Sequence, residues 1–231
     1  MKLSFVLVSP ARAANVGAAA RAIKTQGFNE LIVVNSQAHR EEEAAWVACG
    51  AEDILANIRE VASLEELREE FELMVATTAR ERGSPRHYLS PAELGKQLSH
   101  QQEQVQHVAI VFGCEASGLS NADLTICDLL SYVPLATEYP SLNLAQAVMV
   151  YSYALGQALT CADGRLGLKD AQSPLSQLSA LKQKAATLLE RVGAADDAKL
   201  SLWLNESLSR LSDRDAKMAH QLLGDILKKL D

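Results

Sequence analysis

Five apolar runs, separated by helical patterns, constrain this 231-residue chain more than any other feature. LSFVLV (3–8), LIVV (31–34), LMVATT (73–78), VAIVFG (108–113) and LLSYVPL (129–135) are continuous, not alternating. A strand with one wet face alternates polar and apolar residues, whereas a run that is apolar throughout suits a strand covered on both faces. Helix starts lie between the runs. Ser63-Leu64-Glu65-Glu66 reads as a capping box, and Ser90-Pro91-Ala92-Glu93 adds a proline at the first helical position. The alternation over residues 1–160 predicts an α/β domain with a mainly parallel sheet and helices on both faces.

Past residue 160 the strand pattern ends. Residues 161–173 read as a linker and 174–231 as a small all-α extension, with its clearest stripe at Ala219, Leu222, Leu223, Ile226, Leu227 and Leu230. From residue 161 there are eleven Lys/Arg and ten Asp/Glu. A packing or dimerisation element and an RNA-gripping element are both open for it.

No apolar run approaches the roughly 20 residues of a membrane helix, and no secretion signal opens the chain, so a soluble cytoplasmic protein is expected. Cys49, Cys114, Cys127 and Cys161 are scattered without a C-x-x-C pair, which argues against a disulfide framework and a zinc site. The histidines show no ligand spacing, so metal-free chemistry is expected. A net charge of −7 conceals an uneven distribution: residues 41–72 hold eleven Asp/Glu against two Arg, leaving +2 for the rest. Arg12, Arg21 and Lys24, and again Arg80, Arg82 and Arg86, form local basic groups that suffice for phosphate contacts.

Three stretches carry more than packing requires. In NVGAAARAIKTQG (15–27), Asn15 sits where an N-cap belongs and Gly27 where a helix closes. Gly17 and alanines clear space around Arg21, either for a substrate backbone beside a fixed cation or for close helix packing with a snorkelling arginine. In FGCEASGLSNADL (112–124), Gly113 and Gly118 bracket Glu115, and Ser120 and Asp123 look like the cap and first-turn acid of a helix. In VPLATEYPSLNLAQAVMVYSYAL (133–155), Ser141 and Asn143 precede a long apolar helix and could cap it or present its N–H groups to a ligand. The G-x-G-x-x-G fingerprint and the P-loop lysine are absent.

Taken together these stretches resemble the three signature motifs of the SPOUT superfamily of RNA methyltransferases, in its TrmH (SpoU) family and closest to the TrmJ/LasT branch. N-x-G-x-x-x-R is Asn15 to Arg21, F-G-x-E-x-x-G-L is Phe112 to Leu119, and a proline-bearing strand end followed by S-L-N is Pro134 with Ser141-Leu142-Asn143. The resemblance implies a deep trefoil knot near the end of the domain, which periodicity cannot announce. It implies a homodimer, S-adenosylmethionine as methyl donor and transfer to a ribose 2′-hydroxyl, in tRNA more than rRNA. Carried over by position, Asn15, Arg21, Glu115, Ser141 and Asn143 match active-site positions. Thr78, Ala79, Gly113, Val133 and Leu142 match the donor pocket, and Arg12, Arg80, Arg82 and Arg86 are the RNA-facing candidates. Cys114 and Pro140 depart from the residues common in look-alikes.

In this scheme Arg21 fixes a phosphate and steadies alkoxide charge, while Ser141 and Asn143 hold the ribose and Glu115 orients Arg21 or the donor loop. Two alternatives differ in class: a catalytically inactive RNA-binding protein of the same fold, and a metabolic α/β enzyme taking a small anion at the residue-15 helix.

Overall fold

The structure, a computed structural model, describes residues 1–79, 86–136, 141–163 and 177–230. In chain order its elements are β1 (Lys2–Val8), α1 (Ala13–Thr25), β2 (Leu31–Val34), α2 (Glu42–Val47), α3 (Glu52–Ala56), β3 (Arg59–Val61) and β4 (Leu73–Thr78). There follow β5 (Tyr88–Leu89), α4 (Pro91–His100), β6 (His107–Phe112), α5 (Asn121–Ile126), β7 (Leu129–Tyr132), α6 (Leu144–Asp163), α7 (Gln177–Arg191), α8 (Ala198–Ser209) and α9 (Asp213–Leu230). The seven strands form one sheet in the order β3-β2-β1-β6-β4-β7-β5. Every pairing is parallel, as the continuous apolar runs require.

Successive side chains of a strand point to opposite faces, and both faces here are buried. Phe5, Leu7, Val33, Ile110 and Phe112 pack under α1, α4 and α6, with Val16, Ile23, Leu94, Leu98, Val148 and Tyr151. Val6, Ile32, Met74, Ala76 and Val111 face the other way, onto Leu64, Leu67, Phe71 and Leu119. The second face has thinner cover than the sequence suggests, because residues 65–70 form a 3-10 turn instead of an α-helix. The expected Ser63 capping box is therefore not formed: Leu64 occupies the cap position and makes no side-chain cap bond. The Ser90 and Ser120 boxes are both present in full. The fifth run is strand only to Tyr132, and α6 continues to Asp163, past the expected end of the domain at 160.

Leu178 of α7 lies fully buried in the main core, and α7, α8 and α9 enclose a small core of Leu181, Ala185, Leu208 and Ala216. Of the expected α9 stripe, Ala219 and Leu223 pack on this core, while Leu222 and Leu230 are exposed. The helices are fastened to the sheet by Asp128, which is 3% exposed. Its carboxylate accepts from Lys182 Nζ (2.8 Å), Arg68 Nη1 (3.1 Å), Asn205 Nδ2 (3.4 Å) and the Met74 amide (2.8 Å). Burial draws the Lys182 ammonium below the ordinary lysine range, against the opposing pull of Asp128. Gln101 Nε2 donates to the carbonyls of Ser209 and Leu211. All of these contacts lie at the amino-terminal ends of β4 and β7 and the end of α4. The helical unit thus sits on the sheet edge opposite the strands' carboxyl ends.

Candidate active site

In parallel sheets the loops after the strands' carboxyl ends are where ligands bind, and all three sequence stretches begin at such a strand end or in the first helical turn that follows it. Sheet order makes them neighbours. β1 lies beside β6, β6 beside β4 and β4 beside β7, with Leu7 paired to Phe112, Ala76 to Val111 and Thr78 to Tyr132. Thr78, Gly113 and Val133, expected at the donor pocket, therefore sit at or just past three adjacent strand ends. Ala79 is exposed, and Leu142 half-buried before α6.

Glu115 is the hub. Its Oε2 accepts from the Ala11 amide (2.9 Å), and its Oε1 from the Arg12 amide (3.3 Å) and Asn15 Nδ2 (2.7 Å). Asn15 Oδ1 in turn accepts from Asn143 Nδ2 at 2.9 Å. Three loops, after β1, β6 and β7, are thereby tied by two asparagines and a carboxylate that lie 100 and 128 residues apart in sequence. Partial burial pushes the Glu115 pKa up, but the bonds from Ala11, Asn15 and Arg12 outweigh it and hold the carboxyl below its usual range.

Several expectations need correction. Helix α1 begins at Ala13 with Arg12 as its N-cap residue, so Asn15 is in the first turn and does not cap it. Asn15 is buried at 7% exposure, and its side chain serves the inter-loop network. Gly17 is not open to a substrate: a Cβ there would lie 2.1 Å from the Ala44 carbonyl oxygen of α2, so close helix packing explains this glycine. The space around Arg21 comes instead from Ala14 and Ala18, which share its outward stripe and are part-exposed, while Arg21 itself is exposed. The bonds of Glu115 go to the start of α1 and not to Arg21. Gly113 also has an internal reason, since a Cβ would lie 2.1 Å from the Gly118 carbonyl carbon in the tight 113–118 turn.

Asn143 does cap α6. Its Oδ1 accepts from the Ala145 and Gln146 amides (2.9 and 3.4 Å), and Gln146 Oε1 accepts from the Asn143 amide at 3.2 Å. Gln146 thus completes a capping box that the motif reading does not include, although Asn-x-x-Gln before an apolar run is its sequence signal. Ser141 is exposed two residues before this cap, and Arg12 is exposed at the mouth of α1. Arg86, expected to face RNA, donates instead to the carbonyls of Leu124 (2.7 Å), Cys127 (2.8 Å) and Asp128 (3.2 Å), closing α5 onto β7. Arg80, Arg82, Pro140 and linker residues 164–173 lie outside the described residues. Cys114 Sγ is 3.1 Å from Ser117 Oγ, and this bond leads in lowering the thiol's pKa.

Beside the site, an apolar groove of about 510 Å³ runs between the start of α4, Val133-Pro134 and the outer face of α6, where Met149 and Tyr153 are exposed. No helix among the described residues is long and apolar enough to cross a membrane.

Residues 2–153 match the family model described as the SpoU rRNA Methylase family, and residues 175–230 match that of the tRNA/rRNA methyltransferase LasT C-terminal domain. An Escherichia coli protein described as the uncharacterized tRNA/rRNA methyltransferase LasT is 45% identical over 230 residues, covering 100% of this chain and 99% of its own length. TrmJ of Pectobacterium atrosepticum, a tRNA (cytidine/uridine-2′-O-)-methyltransferase, is 38% identical over 151 residues, which are 65% of this chain and 62% of that one. A probable methylase family protein from Haemophilus influenzae superposes with a TM-score of 0.68 at 27% identity, over 99% of this chain and 97% of its own.

Proposed function

The chain belongs to the SpoU rRNA methylase family, and from that premise we propose that it transfers a methyl group to a ribose 2′-hydroxyl of tRNA. The observation that carries this reading is the placement of Arg21: an exposed cation flanked by part-exposed alanines, on a helix whose first turn is tied to the loops after β6 and β7. The 2′-O chemistry and the tRNA substrate are those in the name of the TrmJ relative.

The methyl donor in this reading is S-adenosylmethionine, whose sulfonium methyl is already electrophilic. Thr78, Ala79, Gly113, Val133 and Leu142 would hold it. These five residues carry no charged side chain and sit at or near three adjacent strand ends, which suits an uncharged purine held through backbone N–H and C=O groups. The work left to the protein is to position the ribose hydroxyl and steady its charge as the proton leaves. Positioning lowers such barriers by up to about 7–11 kcal/mol. A guanidinium is a permanent cation and makes a poor base. Arg21 is therefore assigned to the neighbouring phosphate and the developing alkoxide, with that phosphate or water taking the proton. Ser141, exposed beside the Asn143 cap, is assigned to the ribose; Asn15, Glu115 and Asn143 fix where Arg21 stands. Arg12, with Arg80 and Arg82, is assigned to RNA phosphates.

The same reading takes residues 1–160 as the catalytic domain, threaded into a trefoil knot, and 174–231 as a helical extension in a cytoplasmic homodimer. Insertion of β7 between β4 and β5 is compatible with the knot, and the exposed Met149 and Tyr153 beside the apolar groove are the face assigned to a second copy. The test is ribose-methylation mapping of total RNA with and without the gene, then transfer by Arg21→Ala on the RNA so found. A protein that binds donor and RNA but transfers nothing supports the scheme; undiminished turnover ends it.

A further inference from the structure

We propose that Asn35 and Ser36, in the loop after β2, are positioning residues for the catalytic helix α1. They would form the second half of a two-sided clamp whose other half is Glu115.

Ser9 and Asn35 are equivalent in register. Each is the first residue beyond its strand, after the paired Val8 and Val34. Each donates one last ladder bond to the next strand over, Ser9 N to Val34 O (2.8 Å) and Asn35 N to Val61 O (2.9 Å). Each then turns into the left-handed region, with φ 49° at Ser9 and 51° at Asn35. Among the described residues these are the only non-glycines with positive φ. Side chains other than asparagine and aspartate are strained in this region, so Ser9 in particular persists there because its surroundings over-determine it.

The surroundings here are each other. Asn35 Nδ2 donates to Ser9 Oγ (3.2 Å), and Ser36 Oγ donates to the Pro10 carbonyl at 2.7 Å while accepting from the Ala38 amide at 3.2 Å. Pro10 is itself buried. Because β1 lies between β2 and β6, the four residues leading into α1 are gripped from both sides. The β2 loop holds Ser9 and Pro10, and the β6 loop, through Glu115, holds Ala11 and Arg12. None of the three motifs includes residues 35 or 36. Their effect on Arg21 is exerted through the backbone, since neither bonds to it.

The catalytic consequence rests on the methyltransferase reading, whereas the clamp itself does not, and two readouts separate them. Asn35→Gly keeps the positive φ and removes the amide; Ser36→Ala removes the hydroxyl; the double variant removes both side-chain bonds from the β2 side and leaves the backbone bond from Ser9 to Val34. Amide exchange by NMR at Ala11 and Arg12 is expected to quicken about tenfold in the double variant, as loss of a net hydrogen bond or two implies. Exchange at Phe5 and Val6 of β1 stays as in the parent. On RNA, kcat falls by about the same factor while KM and donor affinity hold, and Ser36→Thr retains both exchange and turnover. Unchanged exchange at Ala11 and Arg12 overturns the clamp, and so does acceleration spread evenly through β1, which would mark a merely structural role. Should the parent protein transfer no methyl to any RNA, the methyltransferase reading fails and the exchange pattern alone decides the clamp.

Discussion

Replacing Glu115 by glutamine tests the hub of the site at one atom. The carboxylate accepts three bonds through two oxygens, one from Ala11 and two from Arg12 and Asn15. Glutamine has a single acceptor oxygen. If it stays with Asn15 and Arg12, its NH₂ group faces the Ala11 N–H, so one charge-assisted bond is lost and two donors are opposed. Charge-assisted bonds contribute about 1.5–3 kcal/mol each. Ala11 is exposed, and water replaces much of that loss, which brings the expected destabilisation to about 2 kcal/mol. For a chain of this size that lowers Tm by about 4–8 °C. The pH dependence gives the sharper check. The folded carboxyl titrates below its unfolded value, so its stabilisation is complete above the unfolded pKa of about 4.3 and is lost as pH falls through the folded one. Parent and Glu115→Gln should therefore differ in urea titrations at pH 6–7, and the gap should narrow steadily as pH falls below about 4.3 toward the lower folded pKa. No gap at neutral pH, or a gap that does not narrow as the pH is lowered below about 4.3, refutes the reasoning.

Other outcomes follow from contacts already described. Gly113→Ala would place a Cβ 2.1 Å from the Gly118 carbonyl carbon, so this variant should lose about 1–3 kcal/mol by calorimetry and weaken donor binding. Asp128→Ala leaves Lys182 and Arg68 without their buried partner. A loss of about 3–5 kcal/mol is expected, with α7 exposed to limited proteolysis before the sheet.

The apolar runs made most of the sheet legible. LIVV and LMVATT became β2 and β4 at the residues expected, because strands buried on both faces leave no choice of side chain. β3 and β5 are three and two residues long and partly exposed, too short to stand out from their flanks. At the site, the residue types were legible but not their partners. Asn15 looks like a cap in a linear reading; its actual bonds reach Glu115 and Asn143, and only the strand order brings those together. Gly17 beside Arg21 invites a ligand until α2 is seen to fill the gap. Charge alone groups Arg86 with RNA-facing arginines, and charge does not say whether a guanidinium meets water, phosphate or its own backbone. Ser9 and Asn35 gave no signal, since serine and asparagine are ordinary loop residues and left-handed backbone has no letter in the sequence.

The strand order also governs how the chain is made. β6 lies between β1 and β4, so the two halves of the sheet cannot join until residues 107–112 have been synthesised. One edge of β1 is complete early in translation and then waits for its neighbour. At about 5–20 residues per second the wait is roughly 5–20 s, long compared with microsecond collapse. Throughout it an apolar strand, Phe5 to Val8, presents unpaired N–H and C=O groups to any other chain nearby. The late arrival of the strand that closes the sheet thus sets how long this edge stands open to a wrong partner on the ribosome.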